Sequence, residues 1–86
     1  MVKISERDVI RVLCIIYLLC GGSPWCHVPL EAIESKVPGH ERGKIRRVVR
    51  ELIVRGLVYE KHHGKGRKSY GLTREGIRIA FNYCKE

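Results

Sequence analysis

The stretch ERGKIRRVVRELIVRGLV, residues 41–58, decides the fold. Ile45, Val48, Val49, Leu52 and Ile53 recur at i, i+3, i+4, i+7 and i+8, the spacing that lays one apolar stripe down a helix. The pattern predicts a helix over 41–55. Gly56 stands where a helix ends on a left-handed residue, and Leu57, Val58 and Tyr59 then read as a strand. At about 100° per residue, the face opposite the stripe holds Gly43, Arg47, Arg50 and Val54, with Arg46 and Lys44 beside it and Arg42 in the first turn. This helix is apolar on one side and almost all guanidinium on the other, with only Glu51 to balance it.

Downstream, Arg67 to Leu72 reads as a second strand. The intervening His62-His63-Gly64-Lys65-Gly66 closes a hairpin over 57–72, its glycines permitting positive φ at the tip. Thr73 caps a last helix over 73–85, with Glu75 in its first turn and an apolar face of Ile77, Ala80, Phe81 and Cys84. Upstream, Val37-Pro38-Gly39 turns the chain out of a short helix over 29–36. Pro29 suits the first turn of that helix, and Leu30 and Ile33 face inward. Before it, a loop with Ser23-Pro24 carries Trp25, expected to fold back on the core, and Cys26 to Val28 can add a short strand. Ser5 caps the first helix, 5–20, Asp8 completes a loose capping box, and Gly21-Gly22 stop it. Val9, Ile10, Val12, Leu13, Ile15, Ile16, Leu18 and Leu19 cover nearly its whole circumference. Such a helix needs cover on more than one side, from the last helix or from a second subunit.

Charge is concentrated where the decisive stretch lies. Lys36 to Arg74 holds 12 basic and 3 acidic residues, and the rest of the chain 5 and 6, so the middle carries the whole excess behind the formal net charge of +8. A field of one sign steers phosphate polymers inward and gains from counterion release. At 86 residues and 44% hydrophobic, the chain has room for one core over 1–86 and little for a substrate cleft, and its composition is not that of a disordered tail. No nucleophile elbow, phosphate-binding Gly loop or His-Glu-x-x-His is present, so no enzyme and no cofactor are expected.

Two helices joined by a short turn and followed by a hairpin resemble the winged helix-turn-helix fold, mainly α with a small β-hairpin. The resemblance spans nearly the whole chain. Its most specific parts are Ile45 to Leu52 running into Arg55-Gly56-Leu57-Val58, and Tyr70-Gly71-Leu72-Thr73-Arg74-Glu75-Gly76, which is similar to the end of the wing in many small prokaryotic transcription regulators. The resemblance implies that 41–55 is a recognition helix for double-stranded DNA and that the hairpin lies along the backbone or enters the minor groove. The expected contacts are Arg42, Gly43, Lys44, Arg46, Arg47 and Arg50 from the helix, and His63, Lys65, Arg67 and Lys68 from the wing. Arg suits this work because it can hold guanine O6 and N7, or a phosphate, with two hydrogen bonds. A homodimer through the first and last helices would match a palindromic site. Rival readings are a winged-helix adaptor between proteins in transcription or replication machinery, and an RNA- or ribosome-binding protein.

The cysteines complete the expectations. Cys14 and Cys84 read as small buried hydrophobes. Cys20 and Cys26 have five residues between them, poor spacing for zinc, and a disulfide closing their loop is a better use of their proximity, though sequence leaves it open. Glu6 and Asp8 before the apolar run, and Arg11 within it, argue against a secretory leader. The run is also too short to span a bilayer, so the protein is expected in the cytoplasm.

Overall fold

Ser5 starts the first helix by a reciprocal exchange: its hydroxyl accepts from the Asp8 N–H and its own N–H donates to the Asp8 carboxylate, both at 3.2 Å. The computed structural model describes residues 4–84. Helix α1 runs Glu6–Leu19, and Val9, Val12, Leu13 and Ile16 are the stripe that vanishes into the core. A two-residue strand β1, Val28–Pro29, leads into a short α2, Leu30–Glu34, which buries Ile33. A 3₁₀ turn over Gly39–Glu41 then feeds α3, Arg42–Val54, whose Ile45, Val48, Val49 and Leu52 are buried as the periodicity requires.

Helix α3 ends by a double bond-back. The Gly56 N–H donates to the Ile53 carbonyl and the Leu57 N–H to the Leu52 carbonyl, both at 3.0 Å. This is the Schellman arrangement, and it needs a left-handed residue at Gly56, where φ is 76°. The chain leaves as β2, Val58–His63, and returns as β3, Arg67–Leu72, paired from Val58 with Leu72 to His63 with Arg67. Strand β1 joins the far side of β3, Val28 opposite Tyr70 and Pro29 opposite Ser69, giving an antiparallel sheet in the order β1-β3-β2.

Helix α4, Arg74–Tyr83, is fastened at its start. Thr73 donates its N–H to the Leu57 carbonyl at 3.1 Å and its hydroxyl to the Gly56 carbonyl at 2.6 Å, and accepts the Gly76 N–H at 3.1 Å. Gly76 lies against the Leu57 carbonyl so closely that a Cβ would overlap it. The Gly-Leu after α3 and the Thr-x-x-Gly before α4 are therefore two halves of one joint. The result is a winged helix, mainly α, with its core between α1, α3, α4 and the sheet.

Several expectations need correction. The second helix is shorter than 29–36: Pro29, at ψ 161°, is extended and paired to β3, so it caps α2 from outside. An edge strand tolerates a proline's missing N–H. Helix α3 begins at Arg42, because the turn over Gly39–Glu41 takes up Glu41. The last helix ends at Tyr83, and its expected extension to residue 85 lies outside the described residues. Cys14 and Cys84 are not separate buried thiols. They form a disulfide with Cα atoms 5.4 Å apart, because α4 lies across the side of α1 that carries Cys14. Cys20 and Cys26 form a second disulfide. Trp25 does not fold back on the core and is 86% exposed. Its loop is tied at both ends by the disulfide and turned by a Ser23 N–H to Cys20 carbonyl bond, which aims the indole outward. The cover that α1 needs comes from α3 on one side and α4 on the other, leaving Leu18 exposed.

Candidate nucleic-acid interface

The two flanks of α3 are used differently. On the flank toward α1, cations meet carboxylates. Lys44 lies 3.6 Å from Asp8, and Arg55, just past the helix, reaches Glu6 at 2.5 Å and Glu51 at 2.8 Å. Arg11 of α1 pairs with Glu41 at 2.6 Å. The Arg55 hydrogen bond holds the Glu6 carboxyl below the usual range and raises the guanidinium in turn. Asp8 is also lowered, first by the Ser5 backbone N–H it accepts and then by Lys44. Arg42 donates from Nε to the Glu34 carbonyl at 3.1 Å, tying α3 to the end of α2.

On the other flank, Arg46, Arg47 and Arg50 are exposed, and among the described residues none pairs with a carboxylate. Gly43 lies open on the same side with no neighbour within 4 Å of where a Cβ would be. Arg46 and Arg50 line a cleft of about 1290 Å³ between α3 and the hairpin, floored by Val49 and Ile53 and walled opposite by Glu60 and Tyr70.

The hairpin supplies cations from its tip and edges. Lys65 and Gly66 both have positive φ, 61° and 75°, closed by the Arg67 N–H to the Gly64 carbonyl. Left-handed residues at both central positions are what a tight hairpin turn of primed type demands. The expected freedom at Gly64 is thus used instead by Lys65, an L-residue in a region that favours glycine. Lys65 and Arg67 are exposed. Lys68 lies 3.8 Å from Glu60. The ring of His63 meets the Ser69 hydroxyl and stacks at a tilt on His27, centroids 5.1 Å apart. The Cys26–His27 segment covers the back of the hairpin here, and Cys26 also accepts a 3.5 Å bond from the Tyr59 hydroxyl.

Of the ten expected residues, the structure brings Arg46, Arg50, His63, Arg67 and Lys68 around one cleft and sets Arg47 and Gly43 on the adjoining face of α3. Lys65 stands at the tip. Arg42 and Lys44 are drawn into contacts within the fold, and the His63 ring also meets Ser69 and His27. Sequence reasoning missed Glu60 and Tyr70. They are cross-strand partners, as are His62 and Lys68, and pairs of this kind emerge only once the register is known. The Tyr70 hydroxyl is pushed up by burial and by the adjacent Glu60 carboxylate, against the pull of Arg46 and Arg50.

Among the described residues no group of three His, Cys, Asp or Glu side chains is placed to hold a metal ion, and no helix is long and apolar enough to cross a membrane. No family model matches the chain. No curated protein matches it in sequence. Its fold is similar to solved structures. AF1382 of Archaeoglobus fulgidus superimposes with a TM-score of 0.75 at 21% identity, over 93% of this chain and 84% of that one. A protein of Thermoplasma volcanium described as a possible HxlR family transcriptional factor superimposes with a TM-score of 0.70 at 19% identity, over 91% of this chain and 65% of that one. At such identities the likeness is one of fold.

Proposed function

We propose that this chain binds double-stranded DNA as a transcription regulator, with α3 in the major groove and the wing along the backbone. The observation that carries the reading is the division of charge on α3. The acids of α1 neutralise one flank, while among the described residues Arg46, Arg47 and Arg50 have no acidic partner on the other. A groove wide enough for a helix meets that row directly, and Arg67 and Lys65 extend it to the flanking strand. The resemblance of the chain's fold to a protein described as a possible transcriptional factor agrees with this reading.

In this reading the protein is not an enzyme, and it acts as a homodimer whose copies meet through α1 and α4, where Leu18 and Phe81 are exposed. It works in the cytoplasm. Two disulfides in that compartment point to a hyperthermophile, whose intracellular proteins keep such bonds.

The test is duplex binding by fluorescence anisotropy across a salt series, comparing wild type with Arg47→Ala/Arg50→Ala. The wild type is expected to lose affinity with salt at a log–log slope of about −4 to −6, and the variant to bind much more weakly with a shallower slope. Absence of wild-type binding at low salt overturns the reading and leaves a protein-adaptor role in its place. Stronger binding to structured RNA than to duplex DNA overturns it in favour of an RNA partner.

A further inference from the structure

The cleft between α3 and the wing is lined by Arg46 and Arg50 on α3 and by Arg67 and Lys68 on the wing, with Glu31 at the α2 edge, and a further carboxylate stands in the wing wall itself. Glu60 lies on β2 opposite Tyr70 of β3. It reaches Nε2 of His62 at 2.9 Å and Nζ of Lys68 at 3.8 Å, with a side chain only 28% exposed. Arg46 and Arg50 line the same cleft from α3. The core-facing side of the hairpin explains the placement. Val58 and Leu72 form a buried pair, and Glu60 with Tyr70, then His62 with Lys68, continue the same face outward past the core. An anionic oxygen pair held by an ammonium and an imidazole beside a tyrosine hydroxyl, with two guanidinium groups across the cleft, is the environment a protein builds for a backbone phosphate.

We propose that Glu60 sets the affinity and selectivity of the interface, its carboxylate holding Lys68 and His62 of the wing in the place that a duplex phosphate takes on binding. The proposal rests on the reading of this face as a duplex-binding surface. A phosphate entering the cleft must displace Glu60 from Lys68 and then sit beside its charge, so contact with the backbone alone gains less than the count of cations suggests. Duplexes that also offer base contacts to Arg46, Arg47 and Arg50 are penalised least in proportion. Glu60 therefore acts on DNA through Lys68 and His62, by occupying them until a phosphate displaces it.

The experiment is anisotropy with a random-sequence 20-base-pair duplex across a salt series for wild type, Glu60→Gln, Lys68→Gln and the double variant. Glu60→Gln keeps the shape and removes the charge. It is expected to raise affinity for the random duplex about fivefold and steepen the log–log salt slope by about 0.9, the signature of one further cation made available to phosphate. Lys68→Gln is expected to cost more in the Glu60→Gln background than in wild type. A purely structural role for Glu60 would change unfolding temperature and leave the slope alone. Unchanged affinity and slope in Glu60→Gln, or an equal cost of Lys68→Gln in both backgrounds, overturns the proposal while leaving duplex binding intact. Absence of wild-type duplex binding overturns both. Should Glu60→Gln fail to fold, Lys65→Gln decides. Lys65 has no acidic partner among the described residues, so its loss is expected to reduce affinity more than Lys68→Gln, and the reverse order overturns the proposal.

Discussion

The α1 side of helix α3 and its wing side contain the same residue types and put them to opposite uses. Toward α1, Lys44 and Arg55 are consumed by Asp8, Glu6 and Glu51. Toward the wing, Arg46, Arg47 and Arg50 are left without acidic partners among the described residues. A basic helix is therefore not a uniform basic surface. One flank fixes the angle at which α3 sits on the body, and the other is free to meet a partner. Changes on the holding side should move stability and spare duplex affinity, and changes on the reading side should do the reverse.

The largest expected effect on stability, away from the wing side, is loss of the Cys14–Cys84 disulfide, which ties the end of α4 to α1 across a sequence separation of 70. On chain-entropy grounds, replacing both residues by alanine should lower the free energy of unfolding by about 4 kcal/mol, and removing the shorter Cys20–Cys26 link by about 2 kcal/mol. Chemical denaturation measures both. Duplex affinity of the still-folded Cys14→Ala/Cys84→Ala protein should match wild type, and a matching loss of affinity would erase the division between the two sides.

Next in size is Gly76→Ala. The added methyl meets the Leu57 carbonyl at the joint between β2 and α4, and relief requires the backbone to shift, at about 1–3 kcal/mol. The thermal unfolding midpoint should fall while the salt slope of binding holds. An unchanged midpoint would show that the joint yields freely.

The smallest effect sharpens the comparison most. Glu6 and Asp8 both have carboxyls held below their usual range by partners in the fold. Groups with depressed folded-state values contribute stability that is present above the unfolded value, about pH 4, and is lost as pH falls through the folded one. Stability should therefore decline on acidification below about pH 4–5. Arg55→Ala should show a lower midpoint at neutral pH and a shallower decline with acid, because Glu6 has lost the partner that depresses it. Screened, exposed pairs give modest effects, so the shape of the pH profile is the informative readout. An identical profile in the variant would remove Arg55 from the holding side.

Much of this was legible from residues 41–58 and 70–76. The stripe from Ile45 to Ile53 located α3, Gly56 its end, and Thr73 with Gly76 the start of α4, because each has a strong local physical requirement. Helix-wheel geometry also separated Arg47 and Arg50 from the core. It could not tell that Lys44 would meet Asp8, or Arg42 the end of α2, since those partners lie on other elements. Glu60 escaped for the same reason: its significance rests on Tyr70 and Lys68, fixed by register alone. The contact of His63 with Ser69 and His27 was not legible either, because the Cys26–His27 segment is brought to the hairpin only by the fold. Cys14 and Cys84 were taken for isolated apolar residues because nothing local shows that two helices from opposite ends of the chain lie side by side.

The tip of the wing carries a consequence for how such a protein can change over generations. Lys65 occupies a left-handed backbone conformation, φ 61°, that costs an L-residue about 1–2 kcal/mol relative to glycine. In the proposed reading, selection for a sturdier fold and selection for a firmer hold on a polyanion pull in opposite directions at this position. A lineage that relaxes its need for the partner should drift to glycine or asparagine here, and one that keeps the lysine is accepting a less comfortable chain for the sake of a charge.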